Sequence, residues 1–419
     1  METSAETAAA TGDQLAAGTG AALVHSGHDW QIGDPGVLGG GAGPSLEILV
    51  LADRDWTHPQ GGGTGANVYS NIIRWVQWGH RVTLVAGAYP GCMRVEEICP
   101  GLTVHRMGGR GTVFPRAAWA VMRGLGSDAD VVFEVINGIV FLGPLWVRKP
   151  IVALVNHPHR ELFVGEFGAR LGRFLAAVLE ELPLRLFYRR VPFLTISGSA
   201  RDELVSIDGV PAANITIAYC GIDQPAPQPE ERSPEPTLLY VGRLKAYKRI
   251  ELLLDVLTEL PGVTLDIAGQ GDHGETLEDE ISNRGLSSRV RVHGFIDEEM
   301  KARLYRQAWV HVTASASEGW SLTVMEAALW GTPSVALPVG GLRESIVDGQ
   351  TGLLASSPSE LGQCIERLIG DAELRNRLGR AAAERARTFT WDRTAATMLN
   401  VVLRRAAEGR PRRRRAARA

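Results

Sequence analysis

The sequence predicts two doubly wound α/β domains, on three observations. From residue 46 onward, short and continuously apolar runs alternate with helical patterns, and such runs suit strands buried on both faces of a parallel sheet. The alternation stops between Gly221 and Pro236, where five prolines exclude a helix or an interior strand, and it restarts at Thr237. With 419 residues, 45% of them hydrophobic, the chain can build two cores of ordinary size.

The elements follow in order. Residues 1–44 are rich in Ala, Gly and Thr, carry no Lys or Arg and show no sustained periodicity, so a disordered extension is expected. Leu46–Ala52 reads as the first strand, followed by a Gly-rich turn, a helical pattern over 66–78 and a strand over 81–86. Further strands are predicted at 102–106, 130–136, 150–155, 192–197 and 214–219, completing a first domain over 45–222. Residues 223–236 read as a linker. The second domain, 237–389, has predicted strands at 237–242, 263–268, 289–293, 309–314 and 333–337. Its predicted helices start near Lys248 and cover 273–284, 297–307 and 321–330. A helix over 390–407 is expected to return to the first domain, and 408–419 form a basic tail. Paired domains of this kind hold ligands at the carboxyl ends of their strands, so a deep interdomain cleft is expected.

One stretch admits two readings. Leu171, Phe174, Leu175, Val178, Leu179 and Leu182 share one helical face. A face turned to the core is the favoured reading. The alternative is a membrane-surface helix, against which the adjacent Glu180 and Glu181 count.

The formal net charge of −3 argues against a general nucleic-acid binder. Charge is nevertheless uneven: the last sixteen residues hold eight Arg, including Arg412–Arg415. A solvated end is the favoured reading of that tail, and an electrostatic tether to anionic lipid is the alternative. Four scattered cysteines make neither a disulfide framework nor a zinc site, which suits a reducing compartment. The N-terminus lacks the pattern of a signal peptide, and no apolar run is long enough to span a bilayer. A cytoplasmic protein is therefore expected, with peripheral contact at the inner membrane face as the variant the basic tail leaves open.

Two clusters carry the chemistry. In Glu318-Gly-Trp-Ser-Leu-Thr-Val-Met-Glu326 two glutamates flank a predicted helix start, and upstream lies Gly242-Arg243-Leu-Lys245-Ala-Tyr-Lys248. Breaking a sugar–diphosphate bond loads negative charge on the leaving oxygen, which fixed cations and backbone N–H groups can absorb. Arg243 and Lys248 fit the cations. Only four Lys occur against 40 Arg, yet two of the four fall in this turn. Ser321 and Leu322 open the helix, where unsatisfied amides make an anion site. Carboxylates grip vicinal hydroxyls, so Glu326 suits a ribose and Glu318 a transferred sugar. The two clusters therefore describe a socket for a nucleotide sugar. Neither an essential metal nor a cofactor is expected, since fixed cations and backbone N–H groups can absorb the diphosphate charge.

With Gly242-Arg-Leu, Ala268-Gly-Gln-Gly271, His293-Gly-Phe295, Gly340-Gly341, Glu344, Asp348-Gly349 and Thr351-Gly-Leu353, this half resembles a retaining glycosyltransferase of family 4. The likeness covers about residues 46 to 405. It implies the GT-B fold of two Rossmann-like domains, an N-terminal acceptor domain and a C-terminal donor domain. It implies that Arg243 and Lys248 hold the diphosphate, that Glu326 holds the ribose, that Glu318 contacts the sugar, and that Gly294 and Phe295 border the nucleobase. It also implies that Gly62 and Gly63 face the donor phosphates. A dinucleotide-cofactor reading of those glycines fails, because the spacing is not GxGxxG. A family histidine supports the reacting sugar carbon, and His157 is the choice here; Asn156 occupies the other candidate position. Glu134, Asn137 and His159 are placed by position in the acceptor pocket.

The expected activity is transfer of a hexose-type sugar from a GDP- or UDP-sugar to an acceptor hydroxyl, with retention. A glycan, a lipid-linked molecule or a natural product would serve as acceptor, and the sequence does not choose among them. A sugar phosphorylase or epimerase on the same fold is one alternative, and a non-catalytic nucleotide-sugar sensor is another.

Overall fold

The computed structural model describes residues 45–226 and 231–409. The expected extension at 1–44, the tail beyond Gly409 and residues 227–230 of the expected linker lie outside the described residues. The chain divides into two compact units. The first holds residues up to Ile196, Arg201–Ala218 and the segment from Trp391, and the second holds Ser197–Ala200 and Tyr219–Thr390.

Unit 1 is built on eight strands: β1 (Glu47–Leu51), β2 (Arg81–Ala86), β3 (Val95–Cys99), β4 (Leu102–Arg106), β5 (Val131–Ile136), β6 (Ile151–Val155), β7 (Phe193–Thr195) and β8 (Ile215–Ile217). Their order is β3-β4-β2-β1-β5-β6-β7-β8. All pairings are parallel except β3 with β4, which is antiparallel. β3 has no counterpart among the predicted strands, because Val-Glu-Glu-Ile-Cys lacks the apolar run of an interior strand. Its charged, half-exposed residues suit a sheet edge.

The sequence of each strand explains its depth. β5 and β6 are buried at every position, as expected of central parallel strands covered on both faces. The helix Gly62–Gln77 turns Val68, Ile72 and Trp75 onto one face of the sheet. The helix Trp391–Gly409 covers the same core with Ala395, Met398, Leu399, Val402 and Ala406. Trp75 Nε1 donates to the Ala395 carbonyl at 3.0 Å, and Arg74 meets Asp392 at 2.6 Å. Chain ends far apart in sequence therefore share one core. At the edge of this unit Arg106 forms a fully buried ion pair with Asp55 and a second pair with Glu96. Losing either side of such a pair typically costs about 3–5 kcal/mol, because the other charge stays buried.

The stripe from Leu171 to Leu182 does not face the core. Leu171, Phe174, Val178 and Leu182 are exposed, while Gly172, Ala176, Glu180 and Glu181 are buried. The reason is steric. A Cβ on Gly172 would lie 2.3 Å from the Phe163 carbonyl oxygen, so the helix Ala169–Ala176 lies at Gly172 directly against the backbone of the helix Arg160–Phe167. A wide π turn, Ala177–Glu181, then precedes Pro183. Proline removes an N–H and clashes with the carbonyl four residues back; here the Leu179 carbonyl accepts from the Val140 amide at 3.3 Å instead.

Unit 2 has six strands, all paired in parallel: β9 (Thr237–Val241), β10 (Thr264–Ala268), β11 (Val290–Gly294), β12 (Val310–Thr313), β13 (Ser334–Ala336) and β14 (Gly352–Leu354). The order is β11-β10-β9-β12-β13-β14, so the chain reverses direction across the sheet on either side of β9. The helices Glu251–Glu259 and Pro358–Gly370 bury Leu253, Leu254, Leu257, Leu361, Ile365 and Leu368 against one face. The expected linker is anchored at its far end. The Arg232 guanidinium donates to the carbonyls of Tyr305, Arg306, Ala308, Trp330 and Gly331 and to the Thr332 hydroxyl.

Candidate functional site

In unit 2 the site grows from the carboxyl ends of β9 and β12. After β9, two close backbone approaches set the path of the chain. A Cβ on Gly269 would lie 1.8 Å from the Gly242 oxygen, and one on Gly271 would lie 1.9 Å from the Leu244 oxygen. No other residue type fits at either place. The turn continues through a single 3-10 turn, Ala246–Lys248, rather than entering a helix at Lys248 as the sequence suggested; the helix begins at Glu251. Arg249 adopts a left-handed conformation (φ 49°) and donates to the carbonyls of Ala314 and Ser315. The Ala316 amide bonds the Tyr247 carbonyl at 2.8 Å. These bonds stitch the turn after β9 to the loop after β12.

That stitching brings Lys248 against Glu318. The ammonium pairs with Glu318 Oε1, both side chains are largely buried, and Ser315 Oγ donates to the same oxygen at 3.0 Å. Arg243 is exposed and makes only a long contact, 3.5 Å, to the Tyr247 hydroxyl. Among the described residues no carboxylate pairs with it. Lys245 is held by Asp272 at 2.6 Å, away from this pair.

The loop carrying Glu318 rests on Gly340 and Gly341. A Cβ on either would lie 2.2 Å from a carbonyl oxygen, that of Glu318 or that of Gly319. The Gly341 amide donates to the Glu318 carbonyl at 2.7 Å. Trp320 is buried between Tyr219 and Phe389, at 4.8 and 5.2 Å between ring centres. Ser321 is forced into positive φ (81°) and opens the helix Leu322–Leu329 without a side-chain cap. Its first amides are thus left for solvent or an anion.

Glu326 lies one helical turn further on, and its carboxylate is already engaged. Tyr305 Oη donates at 2.8 Å and Lys301 Nζ stands 3.2 Å away. Burial opposes the Lys301 charge, but Glu326 and Glu298 more than offset it and hold its pKa above the usual lysine value. Burial pushes the Tyr305 phenol up as well, reinforced by Glu326. Sequence reasoning missed Lys301 and Tyr305. The signal was present: Lys301 is one of only four lysines, and it lies four residues before Tyr305 on one helix face. Gly294 ends β11 with φ 66° and gives its carbonyl to the Gly269 amide at 2.8 Å, and Phe295 beside it is exposed.

In unit 1 the Gly-rich turn begins the helix Gly62–Gln77, again without a side-chain cap. A Cβ on Gly61 would strike the Asp55 carbonyl oxygen at 2.6 Å, whereas one on Gly63 would meet nothing within 4 Å. Gly61 therefore serves the turn, and the space beside Gly63 is open. The loop after β6 is tied to this helix: Asn156 Nδ2 donates to Thr64 Oγ1 and Asn67 Nδ2 donates to Asn156 Oδ1, both at 3.0 Å. Asn156 is buried; His157 is half-buried and stacks on His159 with ring centres 4.7 Å apart. The His159 amide donates to Glu180 at 2.8 Å.

Glu134 corrects an expectation. It does not line a pocket: it is fully buried, accepting from the Tyr188 hydroxyl at 2.5 Å and from the Phe141 amide at 2.8 Å. Burial pushes its carboxyl up to about 7. Asn137, beyond the end of the same strand, is half-buried and donates to Asp53 at 3.2 Å. Strand β5 is covered on both faces, so a polar residue within it reaches no open face.

Two family models match the chain. Glycosyltransferase Family 4 covers residues 61–224, and Glycosyl transferases group 1 covers 223–385. The glycogen synthase of Mycobacterium tuberculosis is 32% identical over 221 residues, which is 50% of this chain and 53% of that protein. The D-inositol 3-phosphate glycosyltransferase of Mycobacteroides abscessus is 33% identical over 216 residues, 48% of each chain. The chain thus spans about half the length of the curated relatives it matches. Sucrose-phosphate synthase from Thermosynechococcus elongatus has the same fold, with a TM-score of 0.72 at 20% identity, covering 87% of this chain and all of that one. HepE from Anabaena, solved with UDP and glucose, aligns with a TM-score of 0.66 at 17% identity over 85% of this chain and 99% of that one. The two consecutive matches, running without a gap through both parallel-sheet units, show that the chain belongs to the family 4 glycosyltransferases and has their GT-B fold.

Proposed function

We propose that the protein transfers a hexose-type sugar from a nucleoside-diphosphate sugar to an acceptor hydroxyl, with retention at the anomeric carbon. The observation that carries this reading is the Lys248–Glu318 pair beside Arg243. One cation is matched to a carboxylate suited to sugar hydroxyls, and the other has no carboxylate of its own. An arriving diphosphate would therefore meet uncompensated positive charge, reinforced by the uncapped helix start at Ser321 and Leu322.

In this reading Arg243 and Lys248 bind the diphosphate and stabilise the charge that grows on its leaving oxygen. Glu326, braced by Lys301 and Tyr305, accepts from the ribose hydroxyls. Gly294 and Phe295 border the base. The family resemblance assigns Gly62 and Gly63 to the donor phosphates and His157 to the sugar, and position in the sequence assigns Asn137 and His159 to the acceptor. The acceptor oxygen attacks the anomeric carbon on the face the diphosphate leaves, the carbon–phosphate-oxygen bond breaks, and the departing oxygen takes the acceptor proton. The protein supplies position and charge. HepE was solved with UDP-glucose, which favours testing UDP-sugars first.

The test is release of nucleoside diphosphate from UDP-, GDP-, ADP- and dTDP-sugars by the wild type, Glu318→Ala and Lys248→Ala. Slow release from one donor, lost in both variants, supports the transferase. Isomerised sugar, or release as sugar phosphate when inorganic phosphate is added, would replace it with an epimerase or phosphorylase. Tight donor binding with no turnover across an acceptor panel would leave a sensor.

A further inference from the structure

An unbroken helical run from Ala169 to Phe187 carries five apolar side chains at spacings of three or four residues: Leu171, Phe174, Val178, Leu182 and Leu186. Such spacing keeps them on one face, and every one of them is 46–62% exposed. Phe167 and Phe187 at the two ends are exposed as well. Isolated exposed leucines need no explanation, but a continuous stripe of this length does.

Charge tells which partner fits. Arg170, Arg173, Arg189 and Arg190 are exposed within or next to this run, while the Arg185 guanidinium donates to the Ile207 carbonyl. The two glutamates that would repel an anionic surface are turned away from it. Glu180 is buried and accepts from the His159 amide, and Glu181 pairs with Arg160 at 2.7 Å. Of the remaining acids between 160 and 190, Glu166 is matched by Arg110 at 3.2 Å, and Glu161 lies in the preceding helix. Apolar side chains set among arginines, with Glu180 and Glu181 withdrawn, match the boundary between headgroups and acyl chains: the apolar groups enter while guanidinium groups reach the phosphates.

We propose that the Ala169–Phe187 face docks on an anionic lipid surface. This proposal stands apart from the donor chemistry, because it is read by binding alone. It also differs from tethering by the arginine-rich tail, which would be electrostatic and indifferent to apolar substitution.

The full-length protein is sedimented with phosphatidylcholine vesicles, with and without phosphatidylglycerol. The variants are Phe174→Asp/Leu182→Asp and Arg170→Glu/Arg173→Glu, each checked by circular dichroism for an unchanged fold. Wild type should bind the anionic vesicles, and the apolar variant should bind roughly tenfold or more weakly, as expected for withdrawing buried aromatic and aliphatic surface. The arginine variant should lose its preference for phosphatidylglycerol. Absence of wild-type binding overturns the proposal, as does binding that the apolar variant retains, which would credit the tail. A wild-type dimer in light scattering that Phe174→Asp/Leu182→Asp disperses would also overturn it, in favour of a second copy of the chain.

Discussion

Lys248 and Glu318, seventy residues apart in sequence, form a largely buried ion pair that joins the turn after β9 to the loop after β12. The pair fixes a cation and a carboxylate at one place. Replacing Lys248 by Met should lower kcat/KM by about 10²–10³-fold, the usual range for losing one stabilising donor. Arg243→Ala should act chiefly on donor affinity, because among the described residues its side chain makes only the long contact to the Tyr247 hydroxyl. Steady-state kinetics with a saturable donor separates the two: equal losses from both variants in kcat alone would contradict the division.

Two glycines should behave in opposite ways. Gly63→Ala meets no neighbour and lies in the first turn of a helix, so the fold should gain about 0.5–1 kcal/mol. Activity should nevertheless fall if donor phosphates approach that backbone. Gly341→Ala drives a Cβ into the Gly319 carbonyl and should lower both Tm and donor binding. Melting curves beside donor titrations read both effects, and a fully active Gly63→Ala would remove the phosphates from this loop.

Asn156 and His157 are neighbours with different tasks. Asn156→Ala strips a buried acceptor from Asn67 and a donor from Thr64, at a cost of about 1–3 kcal/mol. His157→Ala should cost less stability than Asn156→Ala, because His157 is only half-buried, while slowing turnover. Normal turnover in His157→Ala would send the family histidine's role elsewhere.

Glu134 predicts a pH-dependent difference in stability. Burial raises its folded-state pKa to about 7, from an ordinary value of 4.5. Between those values the folded protein binds more protons than the unfolded chain, so stability falls as pH rises through this window. Glu134→Gln is neutral throughout. It should match wild type or fall below it at pH 5, and gain on it steadily toward pH 8. Differential scanning calorimetry at the two pH values checks the sign, and a parallel pH response in both proteins would refute it.

Much of this was legible because parallel sheets write themselves as apolar runs: β1, β2, β5, β6, β9 and β10 all fall within predicted strands. Lys248 and Glu318 were singled out because each lies in a segment that follows a predicted strand, and the structure pairs them. What escaped has a common cause. Periodicity says which residues share a face, not where the face points, so the Leu171–Leu182 stripe was assigned to the core and Glu134 to a pocket. The edge strand β3 escaped because an edge tolerates polar residues. Lys301 and Tyr305 escaped because they meet Glu326 only through tertiary packing.

The Arg232 guanidinium closes one further account. The terminal N–H groups of one side chain, upstream of the first strand of unit 2, reach five carbonyls and a hydroxyl of that unit. The proline-rich segment thus contributes a plug as well as a span. Anyone excising unit 2 at Thr237 would cut away the donor those carbonyls bond to, and an insoluble fragment would say nothing about whether the unit folds alone. A boundary placed before Arg232 keeps the plug, and proteases should respect the same border, nicking on its amino-terminal side first.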